Sequence, residues 1–191
     1  MKKFSFVFGA LILGFMLVSC SNSSKVKNAM IADVDAYFDQ ALANLDAIND
    51  AEDFLDYAAK MSDGSDIESY LLERWDKDVK ISDKDYNDLL DHVKEKSTNY
   101  FMAEKNKCIE LMGPAIDRFN AIIDKMYPMY QAGQRFDDET MEEFLDVFNY
   151  LNMFMDYDNA MDVLEESIGE STGKMGEMTE VINQRIAEMY Q

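Results

Sequence analysis

Beyond residue 24 the chain keeps to a helical rhythm with very little to interrupt it. That stretch holds six glycines and two prolines, and no alternation of apolar and polar residues persists beyond a few positions. A strand needs a period of two and a helix a period near 3.6, so sustained recurrence at three and four excludes a β architecture. The first stretch shows the pattern: Met30, Val34, Tyr37/Phe38, Ala41, Leu45 and Ile48 form one apolar stripe, with Asp33, Asp35, Asp39 and Asp46 mostly on other faces.

Capping signals divide the rest. Asn49-x-x-Glu52 reads as a fresh helix start, with Phe54, Leu55, Ala58 and Met61 on a short apolar face. Asp63-Gly64 stops it, and Ser65-x-x-Glu68 has the form of a capping box ahead of Ile67, Leu71, Trp75 and Val79. Ser82-x-x-Asp85 opens the longest segment, whose apolar positions include Leu89, Val93, Tyr100, Phe101, Cys108 and Met112. Gly113-Pro114 is expected to break or kink that segment, because proline lacks the donor and clashes with the preceding turn. Ile116, Phe119, Ile122, Ile123 and Met126 continue the stripe, and Pro128 and Gly133 close it. Asp137 or Thr140 caps a further helix to about Tyr157, and Ile168, Met175, Ile182 and Met189 recur at sevens in the last. These signals predict an all-α protein, an antiparallel bundle of about six helices forming one domain over residues 25–191.

Ahead of this body lie three zones: basic Lys2 and Lys3, a fifteen-residue apolar run from Phe4 to Val18, and the tetrad Leu17-Val18-Ser19-Cys20. The run is short for a membrane span, which needs ~20 residues, and has the length and flanks of a secretory signal. The tetrad resembles the lipobox of bacterial lipoproteins, cut before an invariant cysteine. The resemblance covers residues 1–20 only. It implies a signal peptide over 1–19, with Leu17, Val18 and Ser19 forming the recognition sequence. It also implies that Cys20 becomes the first mature residue, carrying a diacylglyceryl group and an acylated amine. One acyl chain binds a membrane marginally at ~0.8 kcal/mol per buried CH₂, and two or three anchor stably. Residues 20–24 would then form a short lipidated tether, with periodicity starting near Lys25. The expected place is the bacterial envelope: the outer membrane, periplasmic side favoured, since Ser21 follows the cysteine and no acidic stretch succeeds it.

Charge narrows the partners. With 38 acidic against 18 basic side chains the formal charge is −20, and losing Lys2 and Lys3 takes it to −22. Such a chain is no generic nucleic-acid binder, because neutralising phosphates takes clustered Lys and Arg. The expected partners are the membrane, through the lipid, and a protein of the envelope.

The least ordinary segment runs from Phe136 to Glu170, with twelve acidic residues and no basic one between Arg135 and Lys174. Its middle, Phe144 to Tyr157, is apolar nearly all round. Such a helix is either covered on several sides in the bundle or partly exposed as a groove for a partner helix, with Phe144, Phe148, Leu151 and Met155 lining it.

Asp156, Asp158 and Asp162 begin like an oxygen-ligand loop, as do Asp83, Asp85 and Asn87. Neither fits an EF-hand, since position six is Met161 or Asp88 rather than glycine and position twelve is Ser167 or Lys94 rather than glutamate. Solvated acidic faces and helix starts account for both, and Asp156, Asp158 and Asp162 stand only as weak metal candidates.

His92, with Asp88 and Glu95 a turn away, reads as a solvated ring, and Cys108, between Phe101 and Met112, as a small buried hydrophobe. Gly169, Gly173 and Gly176 fit either a bare helical face or a loop. No nucleophile elbow, P-loop, dinucleotide fingerprint or zincin motif occurs, so no cofactor is implied. The reading is a non-enzymatic, lipid-anchored binding or accessory module; the alternatives are a carboxylate-based envelope hydrolase and an acidic divalent-cation binder.

Overall fold

The computed structural model describes residues 23–62, 70–71, 73–75 and 81–190, except the side chains of Ser62, Asp158 and Asn159. The expected signal peptide and lipidation residue Cys20, and the Asp63-Gly64 and Ser65-x-x-Glu68 signals, lie outside the described residues. Those described are all-α, with five helices and no strand: α1 Ser23–Asp46, α2 Ala51–Ser62, α3 Asp83–Gln131, α4 Asp138–Asn152 and α5 Asp158–Met189. Residues 70, 71, 73 and 74 are helical as well. Among the described residues no helix is long and apolar enough to cross a membrane.

Contacts divide the chain into two compact units, Met1–Asn106 and Lys107–Gln191, with the boundary inside α3. In the first unit α2 runs antiparallel to α1: the Tyr57 hydroxyl donates to the Ala41 carbonyl at 2.9 Å, and the Tyr37 hydroxyl reaches the Met61 sulfur at 3.5 Å. Further along, Tyr70 packs on Tyr37 and the Trp75 indole N–H donates to Asp33 at 3.0 Å, so from Tyr70 to Trp75 the contacts move down α1 toward its start. The N-terminal part of α3 then rises beside α1 in parallel register, with Lys27 against Asp88, Asp35 against His92, and Phe38 against Tyr100. Val34, Phe38, Phe54, Tyr100 and Ile81 are fully or almost fully buried among these legs.

The second unit repeats the up-down-up order. The Tyr150 hydroxyl donates to the Leu111 carbonyl and Phe119 meets Phe144, so α4 is antiparallel to α3. Asn120 bonds Ser167 and Ser171, and Asp124 pairs with Lys174, so α5 is parallel to α3. Met112, Phe119, Ile123, Met126, Met141, Phe154 and Met178 fill this core. Five helices rather than six are therefore described, and the pairs α1/α3 and α3/α5 are parallel within an up-down-up order.

Several boundaries differ from expectation for local reasons. α3 is not interrupted at Gly113-Pro114 or Pro128. Both prolines are exposed, as are Glu110 and Asp124 four residues earlier. Water can therefore satisfy the carbonyls that lose their donors, while Met112, Ala115 and Ile116 stay buried on the core side. α3 ends in a Schellman turn: Gly133 sits at φ 67°, its N–H bonds the Tyr130 carbonyl at 3.0 Å, and the Gln134 N–H bonds the Met129 carbonyl at 2.9 Å. α2 is capped by Asp50 rather than Asn49, through its carboxylate and the Asp53 N–H at 2.9 Å. α4 is capped by Asp137, which accepts from the Thr140 N–H at 2.7 Å.

α4 also stops at Asn152, five residues before Tyr157. Bonds between residues three apart, Phe154 to Leu151 and Tyr157 to Phe154, tighten the turn and drive Phe154 into the core. Gly169, Gly173 and Gly176 lie within α5, exposed, and a Cβ at any of them would meet nothing within 4 Å. Each costs a helix about 1 kcal/mol relative to alanine. Gly169→Ala, Gly173→Ala and Gly176→Ala should therefore each raise unfolding free energy in urea by up to about 1 kcal/mol. A loss of stability at any of the three would show that the glycine packs more closely than its open surroundings indicate.

Candidate functional site: the Ser23 and Asp85 seat and an exposed methionine edge

Ser23 opens α1 and is buried, two residues beyond the expected tether cysteine's neighbour Ser21. A standard capping box would send the Asp85 carboxylate back to the Ser82 N–H. Here the Ser23 hydroxyl stands between them: it accepts from the Ser82 N–H at 2.8 Å and donates to Asp85 Oδ2. The Ser82 hydroxyl donates to the same oxygen at 2.7 Å and accepts from the Asp85 N–H at 3.2 Å. On Oδ1, Lys27 lies at 3.3 Å and the Ser24 hydroxyl at 3.5 Å, and Lys27 also reaches Asp88 at 2.9 Å. Donors to the ionised form hold the Asp85 carboxyl down at about 2, the Ser23 and Ser82 hydroxyls foremost and then Lys27. Ser23 and Ser24, expected in the tether, thus belong to a helix locked onto the start of α3.

A second polar tie lies higher on the same two helices. Asp35 accepts from Lys96 at 2.7 Å and lies 2.9 Å from His92 Nε2. Its carboxyl is held below the ordinary aspartate range, chiefly by Lys96 and then by His92. His92 is therefore half-buried and paired with α1, where a freely solvated ring beside Asp88 and Glu95 was expected. Cys108 is buried as expected.

The expected partner groove divides in the structure. Phe144 and Leu151 are buried at 3% and 4%, whereas Phe148 and Met155 are exposed at 36% and 49%. The four cannot line one helical groove, because α4 ends at Asn152 and Met155 lies in the turn beyond it. Phe148 stacks on Phe144 with ring centroids 5.6 Å apart while remaining partly open to solvent. What the turn and the start of α5 add is Met153 at 43% and Met161 at 41%.

Exposed acids stand on the same elements: Glu142, Glu143 and Asp146 on α4, Asp156 in the turn, and Asp162, Glu165 and Glu166 on α5, with Arg118 of α3 3.9 Å from Glu143. Of the weak metal candidates, Asp156 and Asp162 are exposed, and the Asp158 side chain lies outside the described residues. Among the described residues no three His, Cys, Asp or Glu side chains converge in a way that could hold a metal ion.

At the far end of α4, Arg185 is 4% exposed and donates to the Phe136 carbonyl at 3.0 Å, to Glu188 at 2.6 Å and to Asp138. This clamp fastens the first turn of α4 to α5. No sequence signal marked Arg185, whereas Met153 and Met161 could have been found by asking which apolar residues fall outside the buried stripe. Comparison of the chain with protein-family models, curated proteins and solved structures gave no match.

The seat has a pH signature. Asp85 has an ordinary carboxyl value of 3.8 and a folded value of about 2. The stabilisation it confers is full above the higher value and is lost as pH falls through the lower one. Asp85→Asn should lower the melting temperature by several degrees at pH 7, and the gap to the parent should close between about pH 5 and 2. Melting curves across that range check it, and a gap independent of pH would show that the donors do not act on the ionised carboxylate.

Proposed function

We propose that the chain is a lipid-anchored protein of the bacterial envelope that acts by binding rather than by catalysis, with Cys20 as its attachment point. The supporting observation is the coincidence of the lipobox-like tetrad with the buried seat of Ser23. Only Ser21 and Asn22 separate Cys20 from Ser23, a reach of about 10 Å at ~3.5 Å per residue. The ends of α1 and α3 would lie at the headgroups, on the periplasmic face of the outer membrane. Lys25 and Lys84 are exposed there and suit an anionic surface, while the acidic remainder is repelled from it.

The binding half of the reading draws on the exposed apolar side chains of Phe148, Met153, Met155 and Met161. The partner in this reading is another envelope protein.

The Cys20→Ala protein tests the anchor. In bacteria fed labelled palmitate, the parent should carry label and sediment with membranes, and the variant should lose both properties. A variant that stays membrane-bound, beside a parent that takes up no label, would overturn the reading.

A further inference from the structure

We propose that the Phe148, Met153, Met155 and Met161 edge receives a cationic amphipathic helix of a partner protein. This rests on the binding half of the function proposed above and names its partner class. The apolar part supplies the contact: four large side chains within fourteen positions are 36 to 49% exposed, spanning the end of α4, the turn and the start of α5. Together they expose on the order of a few hundred Å², an amount of apolar surface that on a monomer is often functional. Three of the four are methionines, whose unbranched thioethers repack around differing side chains.

Charge selects the occupant. From Phe136 to Gly173 there is no Lys or Arg, and seven exposed carboxylates, Glu142 and Glu166 among them, stand on the same three elements. A second copy of this chain would set those carboxylates against themselves, and the patch falls well short of the ~800 Å² per partner that a standard stable interface buries. An anionic membrane is repelled for the same reason. A helix with Leu-like residues on one face and Lys or Arg on the flanks satisfies both halves of the surface, as in helix-in-groove recognition.

The test uses the full chain in mild detergent and two synthetic helices of about 18 residues, one of Leu and Lys and its counterpart of Leu and Glu. The Leu/Lys helix should bind at micromolar concentration, more weakly as salt rises, and the Leu/Glu helix should not. Peroxide footprinting should show Met153, Met155 and Met161 protected by the bound helix. Met102, 51% exposed in the other unit, should oxidise as fast as before. Combined Phe148→Ser, Met155→Ser and Met161→Ser substitution should weaken binding at least tenfold with helical circular dichroism unchanged; should that variant not fold, footprinting of the parent decides.

Equal binding of the Leu/Glu helix, equal protection of Met102, or affinity within twofold of the parent in the folded triple variant would overturn the proposal. So would self-association that depends on these residues. Failure here in a chain that takes up palmitate overturns the docking proposal alone. Docking by a chain whose Cys20 carries no lipid supports it while overturning the anchor.

Discussion

A buried carboxylate must either be protonated or be given donors, and Asp85 is given four side chains' worth: Ser23, Ser24, Ser82 and Lys27. Because three of those belong to α1 and Asp85 belongs to α3, the carboxylate sets the register between the two helices. Apolar stripes alone leave register soft, since sliding by a turn trades one leucine for another. Hydroxyls at fixed reach do not permit that slide. Above the seat, Asp35 with His92 and Lys96 repeats the constraint in the same offset, and Phe38 against Tyr100 packs where the two ties put it.

The second unit solves the same problem with an arginine. Arg185 is buried and always charged, so its guanidinium needs acceptors on every side, and it finds them in the Phe136 carbonyl, Asp138 and Glu188. Two of the three lie at the start of α4, so the charge determines where that helix meets α5. In both units, a few buried polar groups choose among packings that the hydrophobic residues would accept almost equally.

Helical class, most helix starts and the buried stripes of α1 and α3 were legible, because all three are carried by residues close together in sequence; Met141, Phe154 and Leu164 in the core were not singled out. Val34, Phe38, Phe119 and Ile182 are core residues for the reason their spacing indicates. What escaped was set by partners far along the chain. His92 looked solvated because the carboxylate it meets, Asp35, is 57 residues away. Gly113-Pro114 looked like a break because whether a proline is tolerated depends on which side of the helix faces water. The groove of Phe144, Phe148, Leu151 and Met155 looked continuous because the early end of α4 at Asn152 follows from Phe154 turning inward, a tertiary effect. Helix starts with side-chain caps were readable; helix ends dictated by packing were not.

The parallel placement of α1 and α3 has a mechanical side. Any pull on the chain ahead of Ser23 is delivered at one end of α1, beside the start of a helix that points the same way. A helix end alone frays under such a load, because its first four N–H groups have no partners within the helix. Here the loaded residue is stitched sideways into the neighbouring helix through Ser82 and Asp85, so force passes into α3 before it can peel α1 turn by turn. The two serines and the aspartate act as a strain relief, the fitting that keeps a cable from being worked loose where it joins its housing.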